Sequence, residues 1–496
     1  MMREKSFLRS RYAGILASFG VVLLIASGLT LVPLLMLPFY PDEANDAVGF
    51  LLPAAMQAAL GYVLWRRFRQ PDGTLTIAEG GVVVTLSWIA VALFAAYPFV
   101  RIAGLNFSAA VFESVSGWSS TGISVVNVAQ ASHMLLFWRS FLQYVGGAGL
   151  AIMMMSAIFG VTGVGISSAE GRGDQLLPQV HRSARLVLLI YLCYASVGTL
   201  AYGFAGMPWF DAINHAMTAV ATGGFSTIPQ SFSYWNSVTI EAITIVLMLF
   251  GNLSFVTAWY LFRGRFRIFW KNAEVRVCMV LLPISTLLMT ILTFQPLYHS
   301  FGEGFRTSIF ETVSLATTTG FSKITYADWN SFSYGMTILL MFIGGGSCST
   351  AGGLKQIRVF LLFKILGREV LRIVRPKTQI LESSFQVSDH PVYLNPDTTR
   401  NCAATFFLYV LTIFSSTMIL CACDFSFDQS LFEVESAISG TGYASGITTP
   451  DMPKIAIWTL SAVMVLGRLE VLIVLATCAK VWRDLRYLCA KNEKRP

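Results

Sequence analysis

Ten stretches of this 496-residue chain are long and apolar enough to cross a lipid bilayer: 12–38, 48–66, 79–100, 133–160, 184–206, 236–262, 276–298, 332–364, 400–423 and 454–480. A helix crossing the hydrocarbon core needs about 20 predominantly apolar residues, and only helices and closed barrels satisfy their own backbone there. The composition agrees. Apolar residues make up 55% of the chain and charged residues 12%, with a mean hydropathy of +0.63, against roughly 25% charged in a soluble domain. That polar surface is too small to face water on all sides, which excludes a soluble multi-domain enzyme. Four shorter semi-polar segments, near 106–121, 209–223, 305–319 and 428–441, lie between the spans. Each is too short to cross the membrane, so each is a surface loop or a re-entrant one.

The net charge of +8 does not mark a nucleic-acid binder, because the basic residues sit in short clusters between the apolar runs. Arg3, Lys5, Arg9 and Arg11 precede the first span, and Arg66, Arg67 and Arg69 follow the second. Further clusters fall at Arg172, Arg182 and Arg185, at 263–276, at 364–377 and at 480–491, always in alternate loops. Lys and Arg stay on the cytoplasmic side. All these clusters and both termini are therefore expected in the cytoplasm, provided that none of the four short segments crosses. The loop at 41–46, with Asp42, Glu43 and Asp46, is then an outer loop. The first apolar run is long enough to span and does not read as a cleavable signal peptide. Eight scattered cysteines read as buried free thiols, and the five histidines form no ligand-spaced pair.

The four short segments resemble one another. They read FESVSGWSSTGIS, NHAMTAVATGGFS, FETVSLATTTGFS and FEVESAISGTGYA. Aligned on Glu113, His215, Glu311 and Glu433, each has a glycine nine residues later: Gly122, Gly224, Gly320 and Gly442. A period of about 100 residues is too long for a solenoid and fits a repeated helix–loop–helix unit. The part before the glycine can form a helix of two to three turns. Non-helical backbone at membrane depth persists only where it lines water or is buried in protein. Carbonyls freed there can replace the hydration shell of an ion, and a helix C-terminus favours a cation. The structural alternative is plain turn glycines in outer loops. Glu113, Glu311 and Glu433 are expected to start the short helices and stabilise their N-termini, with Asp211 and Asp428 placed similarly.

With these motifs the chain resembles the Trk/Ktr/HKT superfamily of potassium transporters, in its TrkH-type branch. The resemblance covers nearly the whole chain. It rests on STGIS at 120–124, TGGFS at 222–226, TTGFS at 318–322, GTGYA at 440–444, IGGGSCSTAGGLK at 343–355 and LGRLE at 466–470. The implied fold is an all-α polytopic membrane protein of about ten helices, with four M1–pore loop–M2 repeats around a pseudo-fourfold pore and two extra N-terminal helices. The implied division is 1–70 for the helix pair, 71–165, 166–268 and 269–380 for the first three repeats, and 381–496 for the fourth with a cytoplasmic tail. The implied filter is Ser120, Thr121 and Gly122; Thr222, Gly223 and Gly224; Thr318, Thr319 and Gly320; and Gly440, Thr441 and Gly442. Potassium is then the transported ion and no covalent cofactor is involved. The resemblance also implies a homodimer in the bacterial inner membrane with a cytoplasmic nucleotide-binding regulatory ring of the TrkA type. Gly223 stands where the other segments have threonine, and Ala444 where the others have serine, so the filter is expected to be irregular.

Gly344, Gly345, Gly346, Gly352 and Gly353 crowd the span at 332–364. Glycine costs about 1 kcal/mol relative to alanine within a helix, so this helix should break into an intramembrane loop that obstructs the pore as a gate. Close packing through small residues is the alternative. Arg468 lies about 21 Å into the last span at 1.5 Å per residue, too deep for easy snorkelling. It is expected to face the pore below the filter, or else to pair with another helix. Glu470 is not an obvious partner. Lys355 and Arg358 should face the cytoplasm. Two competing functions are a symporter coupling potassium to sodium or protons, for which the spans offer no strong carboxylate, and a polytopic enzyme. Neither GGGSCSTAGGLK nor GVTGVGIS at 160–167 completes a phosphate-binding motif. In intact cells, a cysteine replacing Ala44 should react with a membrane-impermeant maleimide above the background of native thiols, and one replacing Lys5 should not.

Overall fold

The computed structural model describes residues 2–69, 75–147, 149, 180–324, 329–374, 384–387, 390–394 and 396–489. The run at 160–167, Arg172, Arg375, Lys377 and Lys491 lie outside the described residues, as do the side chains of Arg3, Lys5, Arg182 and Arg185. The main helices are α1 (Met2–Thr30), α2 (Ala47–Phe68), α3 (Ile77–Ala95), α4 (Phe107–Trp118), α5 (His133–Gly147), α6 (Val180–Phe204) and α7 (Trp209–Val220). They continue with α8 (Val238–Asn252), α9 (Phe255–Phe262), α10 (Ala273–Met289), α11 (Phe301–Ala316), α12 (Ser331–Ile343) and α13 (Gln356–Val374). The last are α14 (Pro396–Cys421), α15 (Phe427–Ser439), α16 (Lys454–Leu469) and α17 (Val471–Cys489). A short antiparallel hairpin, Ser384–Val387 with His390–Tyr393, is a minor departure from the expected all-α fold.

After the α1–α2 pair, one pattern runs four times: a spanning helix, a short buried helix, and a second apolar helix. The short helices α4, α7, α11 and α15 have 12, 12, 16 and 13 residues. At 1.5 Å per residue the shortest reaches only ~18 Å, well under a bilayer. Two of them, α4 and α15, start with a side-chain N-cap. Asn106 accepts from Ala109 N at 3.0 Å and Ser426 from Gln429 N at 3.4 Å. Asp211 and Asp428 lie in first turns, as expected.

Among the described residues, six helical stretches are long and apolar enough to span. Two expected spans are not single helices. The stretch 236–262 divides into α8 and α9 with a bend of 115°, and 454–480 divides into α16 and α17 with a bend of 98°. The first bend follows Gly251–Asn252, where Leu253 is extended. At the second, Glu470 takes a left-handed φ of 63°. Arg468 therefore lies in the last turn of α16 and not at the middle of a long helix. The span 332–364 breaks where expected, between Ile343 and Gln356.

The exterior is apolar, as lipid requires. Exposed residues include Leu51, Met56 and Val63 on α2, Leu192 and Val197 on α6, and Phe407, Leu411 and Phe414 on α14. Cys193 and Cys478 also face outward, so the thiols are not all buried. At one end of the bundle Arg11 Nε donates to Glu79 Oε1 at 2.8 Å and the Tyr12 hydroxyl to Asp484 Oδ2 at 3.1 Å. These bonds tie α1 to α3 and α17. At the other end Glu43 accepts from the backbone N–H groups of His133 and Met134, each at 2.8 Å, capping α5. Between them α1 and α2 touch backbone to backbone at Gly20 and Gly61. A Cβ on Gly20 would lie 2.7 Å from both Gly61 O and Trp65 N. Overpacking of this kind costs about 1–3 kcal/mol, so Gly20→Val should lower the melting temperature in detergent while a lipid-facing Met56→Leu leaves it unchanged.

Candidate functional site

The four short helices end in the same way. In each, the residue two before the shared glycine adopts a left-handed φ: 57° at Ser120, 49° at Thr222, 53° at Thr318 and 69° at Gly440. The next N–H reaches back five residues: Thr121 to Ser116 O (2.9 Å), Gly223 to Thr218 O (2.9 Å), Thr319 to Ser314 O (2.8 Å) and Thr441 to Ser436 O (3.0 Å). This is the Schellman closure of a helix C-terminus. Three of the four left-handed positions are not glycine, which costs about 1–3 kcal/mol each. Surroundings must hold them there.

The surroundings are the other three segments. A Cβ built on Gly122 would fall onto Gly223 O, one on Gly224 onto Thr319 O, one on Gly320 onto Thr441 O, and one on Gly442 onto Thr121 O. The contacts run from the first segment to the second, third, fourth and back to the first. The four segments therefore form a closed ring, and only glycine permits the approach. These glycines also have φ between 77° and 103°. Within the ring, Ser119 pairs with Thr121, Thr317 with Thr319 and Ser439 with Thr441 at hydroxyl distances of 2.6, 2.7 and 2.7 Å. The second segment has no such pair. Gln143 of α5 occupies that space instead, donating to Gly223 O at 2.6 Å and accepting from Phe225 N at 3.0 Å. A side chain at Gly223 would collide with its amide, which explains the departure from threonine.

Behind the ring, buried polar groups clamp the rising chain. Glu113 accepts from Val125 N and Ser124 Oγ, each at 2.8 Å. Glu311 accepts from Lys323 N at 2.7 Å and Glu433 from Ser445 N at 2.7 Å. His215 Nε2 lies 3.0 Å from Ser226 Oγ. The expectation that these glutamates start their helices is wrong: they sit well inside α4, α11 and α15, fully buried. The shared spacing marks a clamp onto backbone twelve residues further on, not an N-terminus. In the fourth segment Ala444 brings no hydroxyl to this clamp. Ser445 Oγ, 2.9 Å from Glu433, and the Thr448 hydroxyl take that part. Arg139 of α5 completes the first clamp, with Nε 2.9 Å from Glu113 Oε1 and both side chains buried. It also donates to Ser124 Oγ and Ser226 O and stacks over Phe225, tying the first segment to the second. The Tyr443 hydroxyl reaches Glu311 and lies 2.9 Å from Phe321 O, tying the fourth to the third. Sequence reasoning missed Arg139 and Gln143; polar residues inside an expected span were the available signal.

Beneath the ring lies the glycine-rich break. Gly344 ends α12 with φ of 66°, and a Cβ there would meet Gly352 O. Gly345 N donates to Gly352 O at 3.0 Å, folding the segment on itself. Gly346 N donates to Asn252 Oδ1 at 3.1 Å and Ser347 N to Glu274 Oε1 at 2.7 Å. Thr350 Oγ1 donates to Val220 O and Gly251 O, 2.9 Å from each, and Gly352 N donates to Thr318 Oγ1 at 2.8 Å. Gly353 packs against Gly344. Arg468 donates to Thr350 O at 2.7 Å and to Gly146 O and Gly147 O at 3.0 and 3.2 Å. Thus Arg468 lies below the ring and pins the segment to α5. A small cavity bounded by Thr121, Ser439, Thr350, Gly352 and Arg468 separates ring from loop. Glu470 does not pair with Arg468; it binds Arg358 at 2.6 Å, so Arg358 is held at the α16–α17 bend.

The sequence model of the TrkH family, described as a cation transport protein, matches residues 49–484. The Trk system potassium uptake protein TrkH of Salmonella typhimurium is 32% identical over 94% of this chain and 98% of that protein. An uncharacterized cation transporter of Methanocaldococcus jannaschii is 30% identical over 96% of this chain and 97% of its own length. The crystal structure of the potassium transporter TrkH from Vibrio parahaemolyticus superposes with a TM-score of 0.82 at 27% identity, covering 94% of this chain and 98% of that one.

Removing one partner of a buried ion pair costs about 3–5 kcal/mol, because the other charge is left unpaired. Arg139→Met should lower thermal stability by that order in detergent, and adding Glu113→Gln should recover part of the loss.

Proposed function

Because the chain belongs to the TrkH family of cation transport proteins, we propose that it is the pore subunit of a bacterial potassium-uptake system. The potassium assignment draws on the names of its relatives. The observation that carries the pore is the closed ring in which each shared glycine backs onto a carbonyl of the next segment. In this reading, carbonyls of Ser120–Gly122, Thr222–Gly224, Thr318–Gly320 and Gly440–Gly442 replace the hydration shell of a bare ion. The C-terminal ends of α4, α7, α11 and α15 add partial negative charge around it.

The gate is the loop from Gly344 to Gly353 with Arg468. It crosses the path just inside the filter, where the Arg468 cation repels a permeating cation, holds the loop through Thr350 O and is itself anchored on the Gly146 and Gly147 carbonyls of α5. Opening requires the bond from Arg468 to Thr350 O to break. The rest of the reading follows the family: four pore repeats over 71–165, 166–268, 269–380 and 381–496, both termini cytoplasmic, a homodimer, and a cytoplasmic nucleotide-binding ring. A transport role is what this family implies, and no catalytic step is assigned.

A second reading, coupled symport, has one observation in its favour. Glu435 on α15 is a buried carboxyl whose hydrogen-bond partner is the Tyr409 hydroxyl at 3.4 Å. Intramembrane carboxyls of this kind serve proton and ion coupling elsewhere. Reversal potentials in a bilayer separate the two, since a passive path follows the potassium gradient alone.

In an uptake-deficient bacterium, the wild-type gene should restore growth at low potassium. Gly320→Ser should abolish rescue while the protein still reaches the membrane. Arg468→Gln should raise potassium flux in proteoliposomes; unchanged flux would remove Arg468 from the gate.

A further inference from the structure

A cavity of about 420 Å³ lies between α3, α4, α16 and α17, away from the ring and the gate loop. Its volume falls in the range of small-molecule sites, about 300–1,000 Å³. It is elongated: it follows α16 from Trp458 to Leu466, eight residues or ~12 Å of helix. Its walls are apolar side chains such as Val115, Trp118 and Val474. The mouth is formed by Ile89, Leu93 and Trp458, which are 49%, 40% and 43% exposed. Ile89 and Leu93 lie on the outward apolar face of α3, which is long and apolar enough to span the membrane, and Trp458 stands beside them on α16, so the mouth opens toward lipid hydrocarbon.

We infer that this cavity is a binding site for one acyl chain of a bilayer phospholipid. An apolar void of this size at membrane depth leaves its wall atoms without contact partners. Lipid acyl chains share the polarity of these walls and meet the mouth directly. Two of the wall side chains are indoles: Trp88 and Trp118 are both more than nine-tenths buried and their rings meet edge to face at 5.6 Å, which gives the cavity a broad, flat apolar wall. The chain would touch both functional parts at once. Trp118 ends α4 immediately before Ser119, whose hydroxyl supports Thr121, and Leu466 lies just short of Arg468 on α16. The site therefore bridges the first and last repeats of the ring from the lipid side.

The test uses the full chain in nanodiscs made of phosphatidylcholine with one brominated acyl chain, imaged by cryo-electron microscopy. The expected result is a continuous tail-shaped density, strengthened by bromine, running from Ile89 to Trp118. Ala462→Phe fills the cavity from the exposed face of α16 and should remove that density and reduce bromine quenching of tryptophan fluorescence. An empty cavity, a density that stops outside Leu93, or a helix of a second copy covering the mouth would each overturn the inference. Because the wild-type map alone distinguishes these outcomes, a filling variant that fails to fold does not weaken the test.

Discussion

Backbone that leaves a helix inside a membrane must find new partners, and this structure is organised around that demand. Four short helices end at the ring, stretches of non-helical chain carry the ring glycines and rise from them, and all meet at one place. None can bond to lipid. They are satisfied by helix-end closures, by buried side chains and by one another. The ring is the consequence: each glycine is pressed against the next segment's carbonyl because the absence of a Cβ is the only way to bring four main chains that close.

The repeats are similar without being equal, and their differences compensate locally. Where the second segment lacks a hydroxyl, Gln143 takes over both the space and the hydrogen bonds. Where the fourth lacks a serine, the next residue supplies the bond to Glu433. The second segment uses His215 in place of glutamate, with Ser226 still its partner. The ring geometry thus persists while the electrostatics around it differ on each side. The first side carries a buried Arg139–Glu113 pair and the third a glutamate held by a tyrosine from the fourth. The proposed gate is similarly lopsided, since one repeat supplies the loop and another supplies Arg468.

Much of this was legible in the sequence because hydrophobic length and glycine spacing are local signals. The spans, the four short helices, the ring glycines and the break at 344–353 follow from such signals. The bends at Leu253 and Glu470 were not legible, because apolar periodicity continues across both and a left-handed glutamate has no sequence signature. The glutamates were misread for a different reason. Their position near a short helix suggested a dipole role, whereas their partners are backbone groups twelve residues on, which only the folded loop brings near. Arg139 and Gln143 were hidden inside an expected span whose overall hydropathy concealed them. Arg468 was legible as a costly charge, but its three carbonyl partners come from distant segments.

The account stands on a single axis shared by four segments. Crystals grown in rubidium, measured at the rubidium absorption edge, test it directly. The expected result is an anomalous peak at the centre of the ring, equally near the main chain at Thr121, Gly223, Thr319 and Thr441. A ring with no peak, or rubidium bound only at other positions, would contradict it.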